Sequence, residues 1–337
     1  MLETYPWQTE QMHRLLLMHQ QNRLPHALLL SGPDGIGLKR FALVFVMRTL
    51  CLSNNNELED ACGNCKSCEL FKGKSHPDLY FIEPEEKGKT IKVEQIRELI
   101  KYVSIKSFSA DMKIIIIQSA DAMNRVTANT LLKTLEEPPE QSKIILLSHN
   151  PSKLPATIRS RCQRIDFKPT YNNETVSWLT ERLAQSEIPP ELLLRLSGGA
   201  PLQAIKLATD EQHLACRHEL LQDLSSLDKE NSDPVKIASH WHEMGPDNTV
   251  SWLLRLTNDL IKLKLSSKKA NITNLDLRED LQGLSNRLDL LKLIRGYEFI
   301  SLKYKELGGP MNYSPRSILE EIALFWKNCN ESKINSR

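Results

Sequence analysis

Four of the seven cysteines, Cys51, Cys62, Cys65 and Cys68, stand in the spacing C-x10-C-x2-C-x2-C. Thiolates two residues apart can wrap a turn around one tetrahedral ion, and Cys51 supplies the fourth sulfur. Four sulfur ligands leave no open coordination position, so the set points to a structural Zn2+ that clamps a short excursion and not to a catalytic metal. Buried free thiols and an iron–sulfur cluster are the other readings of the same residues. Four ligand-type residues in so short a stretch favour one metal site, and zinc over iron. His76 is a competing ligand that four sulfurs make superfluous. The remaining cysteines, Cys162, Cys216 and Cys329, are scattered, which is the pattern of free thiols in a reducing compartment.

The second constellation is Gly32-Pro33-Asp34-Gly35-Ile36-Gly37-Leu38-Lys39, running from an apolar stretch into a helical one. That context is the one in which a glycine-rich loop and a helix N-terminus cradle phosphates. The two side chains that would do specific work are missing, however. Leu38 stands at the place of the phosphate-binding lysine, and Lys39 at the place of the Ser/Thr that holds Mg2+. One residue along a helix is about 100° of rotation, so Lys39 leaves the loop in another direction than Leu38. A buried strand in such an enzyme ends in acidic residues for metal and water; here Ile114 to Ile117 ends in Gln118-Ser119, with Asp121 two residues on, where it is expected to cap the next helix. A plain Gly-rich turn between strand and helix is the bland alternative. Two independent losses, in the loop and at the strand end, instead indicate a nucleotide fold without its hydrolysis.

These groups need a scaffold, and the apolar pattern supplies one. Strands are expected at His26 to Ser31, Leu79 to Ile82, Lys113 to Gln118, Ile144 to Ser148 and Gln163 to Phe167, with helices at Leu38 to Leu50 and Asn124 to Leu135. Another helix carries Val93, Ile96, Leu99, Ile100 and Val103 on one face, and a short one spans Leu154 to Cys162. The four consecutive isoleucines suit a strand buried on both faces, and strands alternating with helices predict an α/β parallel sheet. Glu136-Glu137 ends the second helix, where the dipole disfavours negative charge. After residue 168 the pattern is helical only, as at Leu253, Leu256, Leu260, Leu263 and at Leu284, Leu288, Leu291, Ile294. Gly198-Gly199 and the Asn-Ser-Asp-Pro stretch at 231–234 are expected breaks.

A chain of 337 residues predicts two or three domains. Forty-four basic against 42 acidic side chains give a net charge of +2, which weighs against a stand-alone DNA-binding protein. The longest apolar run, Phe41 to Met47, is far short of a membrane span, so a cytoplasmic protein without a membrane partner is expected.

His26-Ala27-Leu28-Leu29, the Gly-rich loop, the four cysteines, the run Asn129 to Pro139 (NTLLKTLEEPP) and Ser160-Arg161-Cys162 follow one another in this order. In this the chain resembles the bacterial DNA polymerase III clamp-loader subunits, an AAA+ family, over residues 1 to about 206. The resemblance implies an ATPase-like domain at 1–167 with a zinc module at 51–76, a helical lid at 168–208 and an all-helical collar at 209–337. The family's motor subunits, gamma and tau, keep the loop lysine and the acidic strand end. Leu38, Lys39, Gln118 and Ser119 depart from them, and Leu202 stands where a motor carries a second sensor arginine. Tyr5-Pro6-Trp7 and His76-Pro77-Asp78 likewise resemble the family's non-motor member. Such a member binds no ATP in its own loop (Gly32, Gly35, Gly37, Leu38, Lys39). It sits at one end of an arc with gamma/tau and delta, and extends Arg161 into the neighbouring motor's ATP site. Arg159 would face elsewhere. The assembly loads the beta clamp on primed DNA. Two rival readings remain: an active motor using Lys39 and Asp121 in displaced roles, and a zinc-containing nucleic-acid adapter using Lys66, Lys72 and Lys74.

Overall fold

The computed structural model describes residues 3–53, 60–86, 88–105, 112–139, 141–227, 232–266, 270–309 and 313–331. Contacts divide the chain into two compact units, Met1–Glu181 with Ala200–Gln203, and Arg182–Gly199 with Ala204–Arg337. The stretch expected as a lid, 168–208, is thereby shared between the two. Parts of the expected zinc module (54–59) and collar (228–231, 267–269, 310–312 and 332–337) lie outside the described residues.

The first unit holds α1 (Thr9–Gln20), β1 (Ala27–Ser31), α2 (Leu38–Thr49), α3 (Lys66–Lys72), β2 (Leu79–Ile82) and α4 (Val93–Val103). It continues through β3 (Lys113–Ile117), α5 (Arg125–Glu136), β4 (Ser142–Ser148), α6 (Ala156–Arg159), β5 (Gln163–Asp166) and α7 (Asn173–Arg182). The five strands form one parallel sheet in the order β2-β3-β4-β1-β5. Side chains of a strand alternate between faces, and here both faces are dry. Leu28, Leu30, Ile114, Ile116, Ile145 and Leu147 pack with Phe41, Phe45 and Leu15 of the helices on one side. Leu29, Ile115, Ile117, Ile144 and Leu146 pack with Ile96, Leu99, Leu131 and Ile158 on the other. This is the α/β layering, a parallel sheet covered on both sides, that the alternating pattern implied. Because all strands run the same way, the ends of β1, β3, β4 and β5 converge on one edge, where open α/β sheets place ligands.

Two local expectations are corrected. Asp121 caps no long helix: it lies within a short 3-10 turn, Ala120–Ala122, and α5 is capped by Asn124, whose side chain accepts from Thr127 N–H at 2.9 Å. The helical spacing at Leu284, Leu288, Leu291 and Ile294 is not one helix. It is broken between one helix, Arg278–Arg287, and the next, Leu290–Leu307, because Asp289 takes extended backbone and accepts from Leu291 N–H at 2.9 Å, starting a new helix.

The second unit is helical: α8 (Pro190–Leu196), the part of α9 (Pro201–Ala208) from Ala204 on, α10 (Glu211–Leu227), α11 (Pro234–Glu243), α12 (Pro246–Leu265), α13 (Arg278–Arg287), α14 (Leu290–Leu307) and α15 (Pro315–Glu331). Gly198 and Gly199 separate α8 from α9. Of the break at 231–234, Asn231 lies outside the described residues, and Asp233 caps α11 by accepting from Val235 N–H at 3.0 Å. Leu253, Leu256, Leu260 and Leu263 are all buried along one stripe of α12. The buried Asp259 carboxylate gathers the Thr273 and Asn274 N–H groups at 2.9 and 2.8 Å.

Ile116 touches no water, so Ile116→Ala should cost roughly 2–5 kcal/mol and Ile116→Val about 0.5–1.5 kcal/mol. Hydrogen exchange of the sheet amides checks this. Equal protection in all three proteins would contradict the two-sided burial of the strand.

Candidate functional site

Residues 32–37 leave β1 at the edge where the strand ends converge and enter α2. Gly35 and Gly37 have φ of +83° and +92°, a region that side chains with a Cβ avoid. The space around them is also occupied. A Cβ on Gly35 would lie 2.8 Å from Gln203 Cβ, and one on Gly37 2.7 Å from the Tyr5 ring. The loop's polar groups are engaged by its own chain. Gly35 N–H donates to Asp34 Oδ1 at 2.9 Å, and Ile36 N–H to Pro33 O at 3.3 Å. Ile36 O accepts from Trp7 Nε1 at 3.0 Å and Gln8 Nε2 at 2.8 Å, while Gly35 O accepts from Leu202 N–H at 3.0 Å. Tyr5 stacks on Trp7 at 4.7 Å, Trp178 meets both edge-on, and Arg40 lies over Tyr5. The loop therefore presents a carboxylate, Asp34, on one of the N–H groups that would hold a phosphate, and a set of aromatic rings packs beside it.

The side chains follow the same direction. Leu38 is buried in the core. Lys39 Nζ reaches Glu83 Oε2 at 3.0 Å, past the end of β2, and lies over the Phe81 ring. At the edge of the sheet, Gln118 Oε1 and Ser148 Oγ are buried without a protein hydrogen-bond partner, as is Asp121 Oδ1. The strand ends thus carry polar atoms, yet Gln118 and Ser148 bring no charge that could hold a divalent metal.

The four cysteines do meet. Cys51 follows α2, Cys62 precedes α3, Cys65 caps α3 and Cys68 lies in its first turn. Their sulfurs all lie within 4.8 Å of one another, with Cys51–Cys62 at 3.5 Å, Cys62–Cys68 at 3.9 Å and Cys51–Cys65 at 4.0 Å. Tetrahedral coordination with zinc–sulfur bonds near 2.3 Å requires sulfurs about 3.8 Å apart, so the set fits one such ion. Backbone N–H groups of Cys62 and Cys65 point at the sulfurs of Cys51 and Cys62, both at 3.4 Å. Burial, reinforced by the neighbouring thiols, pushes Cys68 up to about 12. Burial also raises Cys65, but N–H groups of Cys68 and Leu52 and the adjacent thiols outweigh it and bring Cys65 down to about 6. Without a cation, negative charge settles on some sulfurs at the expense of others; a dication removes that conflict.

His76 is no fifth candidate. Its Nδ1 accepts from Asp78 N–H at 3.1 Å, which leaves the proton on Nε2 to donate to Ser67 Oγ at 2.9 Å. Ser67 in turn donates to Leu50 O at 2.5 Å. This buried relay ties α3 to the end of α2, beside Cys51 and Cys68. Lys66, Lys72 and Lys74 are all exposed, and Lys72 donates to Gly63 O in the module.

The third feature is one that residue-by-residue reading did not join. Arg161, just past α6, meets Glu136 at the end of α5: Nη2 to Oε1 is 2.6 Å. Its Nη1 donates to Thr157 O at 2.9 Å. Glu136 and Arg161 are 25 positions apart, and only the packing of α5 on α6 brings them together. Arg159 is exposed, and Cys162 is buried with its thiol pushed up to about 11.

Two family models match the chain: "DNA polymerase III, delta subunit" over residues 7–171, and "DNA polymerase III, delta subunit, C terminal" over 211–327. The DNA polymerase III subunit delta-prime of Pseudomonas aeruginosa is 30% identical over 330 residues, covering 97% of this chain and 98% of that protein. The chain belongs to the DNA polymerase III delta-prime family. The relatives are named as subunits of DNA polymerase III. The DNA polymerase III subunit tau/gamma of Haemophilus influenzae is 36% identical over 172 residues, covering 51% of this chain and 24% of that protein. Among solved structures, a DNA polymerase III gamma subunit-related protein of Thermotoga maritima matches 96% of this chain and 100% of its own, at 18% identity and a TM-score of 0.42. Among the described residues of this delta-prime family member, no helix is long and apolar enough to cross a membrane.

Cys68→Ser should lower bound zinc from about one ion per chain to near none, measured by elemental analysis of the purified protein. A full complement of zinc in that variant would remove the four sulfurs as its ligands.

Proposed function

We propose that this chain is the non-motor, delta-prime subunit of a clamp loader: it binds no ATP itself, and it completes a neighbour's ATP site with Arg161. The observation that carries the first half is the phosphate loop, whose N–H groups at Gly35 and Ile36 are already engaged by Asp34 and Pro33. Triphosphate would have to displace the Asp34 carboxylate from Gly35 N–H, with no lysine at position 38 to offset its charge. The active-motor reading needs Lys39 in the loop, but Lys39 leaves it in another direction, past the end of β2, over the Phe81 ring and beside Glu83. The degenerate site at Gly32, Gly35, Gly37, Leu38 and Lys39 is accordingly kept as a structural turn.

Arg161 supports the second half. It follows a short helix near the edge of the sheet, partly exposed, with its guanidinium held in a defined place. An arginine offered to a transferring phosphoryl group stabilises the charge that spreads over its equatorial oxygens. The nearest partner is a gamma/tau motor; delta, the beta clamp and primed DNA are engaged through the assembled complex in the cytoplasm. Cys51, Cys62, Cys65 and Cys68 would hold a structural Zn2+, which supplies folding energy and no chemistry. Residues 168–208 act as a lid-like connector, and 209–337 as the collar that joins the other subunits.

Titration calorimetry of the purified chain with Mg-ATP should give no binding heat at millimolar nucleotide. In a reconstituted complex whose other motors carry inactivated phosphate loops, only the adjacent site reports. There Arg161→Ala should lower hydrolysis by about 10³-fold or more, with the complex intact by gel filtration. Turnover of ATP by the isolated chain would instead make it a motor.

A further inference from the structure

Glu136 is an unusual terminal residue for a helix. The last turn of α5 exposes carbonyl oxygens, so a carboxylate there is electrostatically disfavoured unless a cation offsets it. Arg161 is that cation, at 2.6 Å. The end of α5 is itself fixed: His26 Nε2 lies 3.0 Å from Leu135 O, Glu137 N–H donates to Lys133 O at 2.9 Å, and Pro138-Pro139 cannot prolong the helix. Glu136 is thus an anchor on a rigid element, and Thr157 O, 2.9 Å from Arg161 Nη1, is a second. A guanidinium carries five N–H groups in one plane. These two contacts use one on each terminal nitrogen and leave the other three for an oxyanion.

We infer that Glu136 is the positioning residue for Arg161, holding the guanidinium in one rotamer before a neighbour's ATP site closes on it. This inference rests on the reading of Arg161 as an arginine that acts in trans. The same pair could instead be a latch that withholds Arg161 until assembly, and magnitude decides between the two. Arg161 and Glu136 are 35% and 47% exposed, and ion pairs of that exposure shift an equilibrium by about fivefold at most. A finger arginine acts by about 10³–10⁵ in rate. A lock worth about fivefold cannot keep the guanidinium from a magnesium triphosphate. It is enough to favour one rotamer of a long side chain over several.

The test uses the full chain in the reconstituted complex, with hydrolysis reported only by the adjacent motor site and subunit composition followed by gel filtration. Glu136→Gln should lower kcat by about three- to fivefold with KM for ATP unchanged, and Glu136→Asp should recover part of the loss. In an Arg161→Ala background, Glu136→Gln should change nothing further, because the carboxylate acts only through the arginine. A rise in kcat for Glu136→Gln would mean a latch and overturn the inference, as would a loss that persists in the Arg161→Ala background. Wild-type kcat for Glu136→Gln beside a damaged Arg161→Ala would overturn this inference alone. Wild-type kcat for Arg161→Ala would overturn the finger reading and this inference with it.

Discussion

The strand of four isoleucines has no polar face, so it is stable only between two layers of helices. Its neighbours meet the same demand, with Leu28, Leu30, Ile145 and Leu147 turned to one layer and Leu29, Ile144 and Leu146 to the other. The strands are parallel, parallel strands need crossover connections, and the crossing helices cover both faces. Parallel strands in turn deliver the loop after β1, the residues after β3 and the end of β4 to one edge. The position of every group considered for nucleotide chemistry thus descends from two-sided burial.

At that edge the molecule keeps a phosphate-binding shape while its interactions are redirected inward. A phosphate loop works because its N–H groups have no partner of their own and point at the ligand. Here Asp34 supplies an internal anion to one of them, and Trp7, Gln8 and Leu202 draw on the loop's carbonyls. The glycines, which elsewhere allow a ligand to approach, here allow Gln203 and Tyr5 to approach. The loop has become part of the packing of the first unit, with the aromatic cluster of Tyr5, Trp7 and Trp178 alongside.

The sulfur cluster solves a different problem. Between α2 and β2 the chain makes an excursion with little apolar content of its own, in which, among the described residues, Leu50, Ala61, Cys68 and Phe71 join the buried core. Four convergent sulfurs, with the buried His76–Ser67–Leu50 relay beside them, fasten that excursion to the end of α2. Polar groups so buried are stable because each has a partner, which is also why His76 belongs to the relay and not to the ligand set.

The sequence was sufficient for whatever depends on residue type and short spacing. The isoleucine run implied a two-sided strand, C-x10-C-x2-C-x2-C implied one sulfur site, and Leu38, Lys39, Gln118 and Ser119 marked an absent lysine and absent acids, since each of these is local chemistry. Short-range geometry misled where a cap competes with periodicity: Asp289 restarts a helix inside an unbroken leucine spacing, and Asn124, not Asp121, caps α5. What only the tertiary structure decided are contacts between distant segments: Gln203 and Tyr5 against the loop glycines, Lys39 turned to Glu83, and Arg161 set on Glu136. The Lys39–Glu83 and Arg161–Glu136 contacts are weak, exposed ion pairs, and no propensity encodes which surface charges will meet. They exist because a well-packed core, legible in the sequence, holds the ends of its helices and strands at fixed distances.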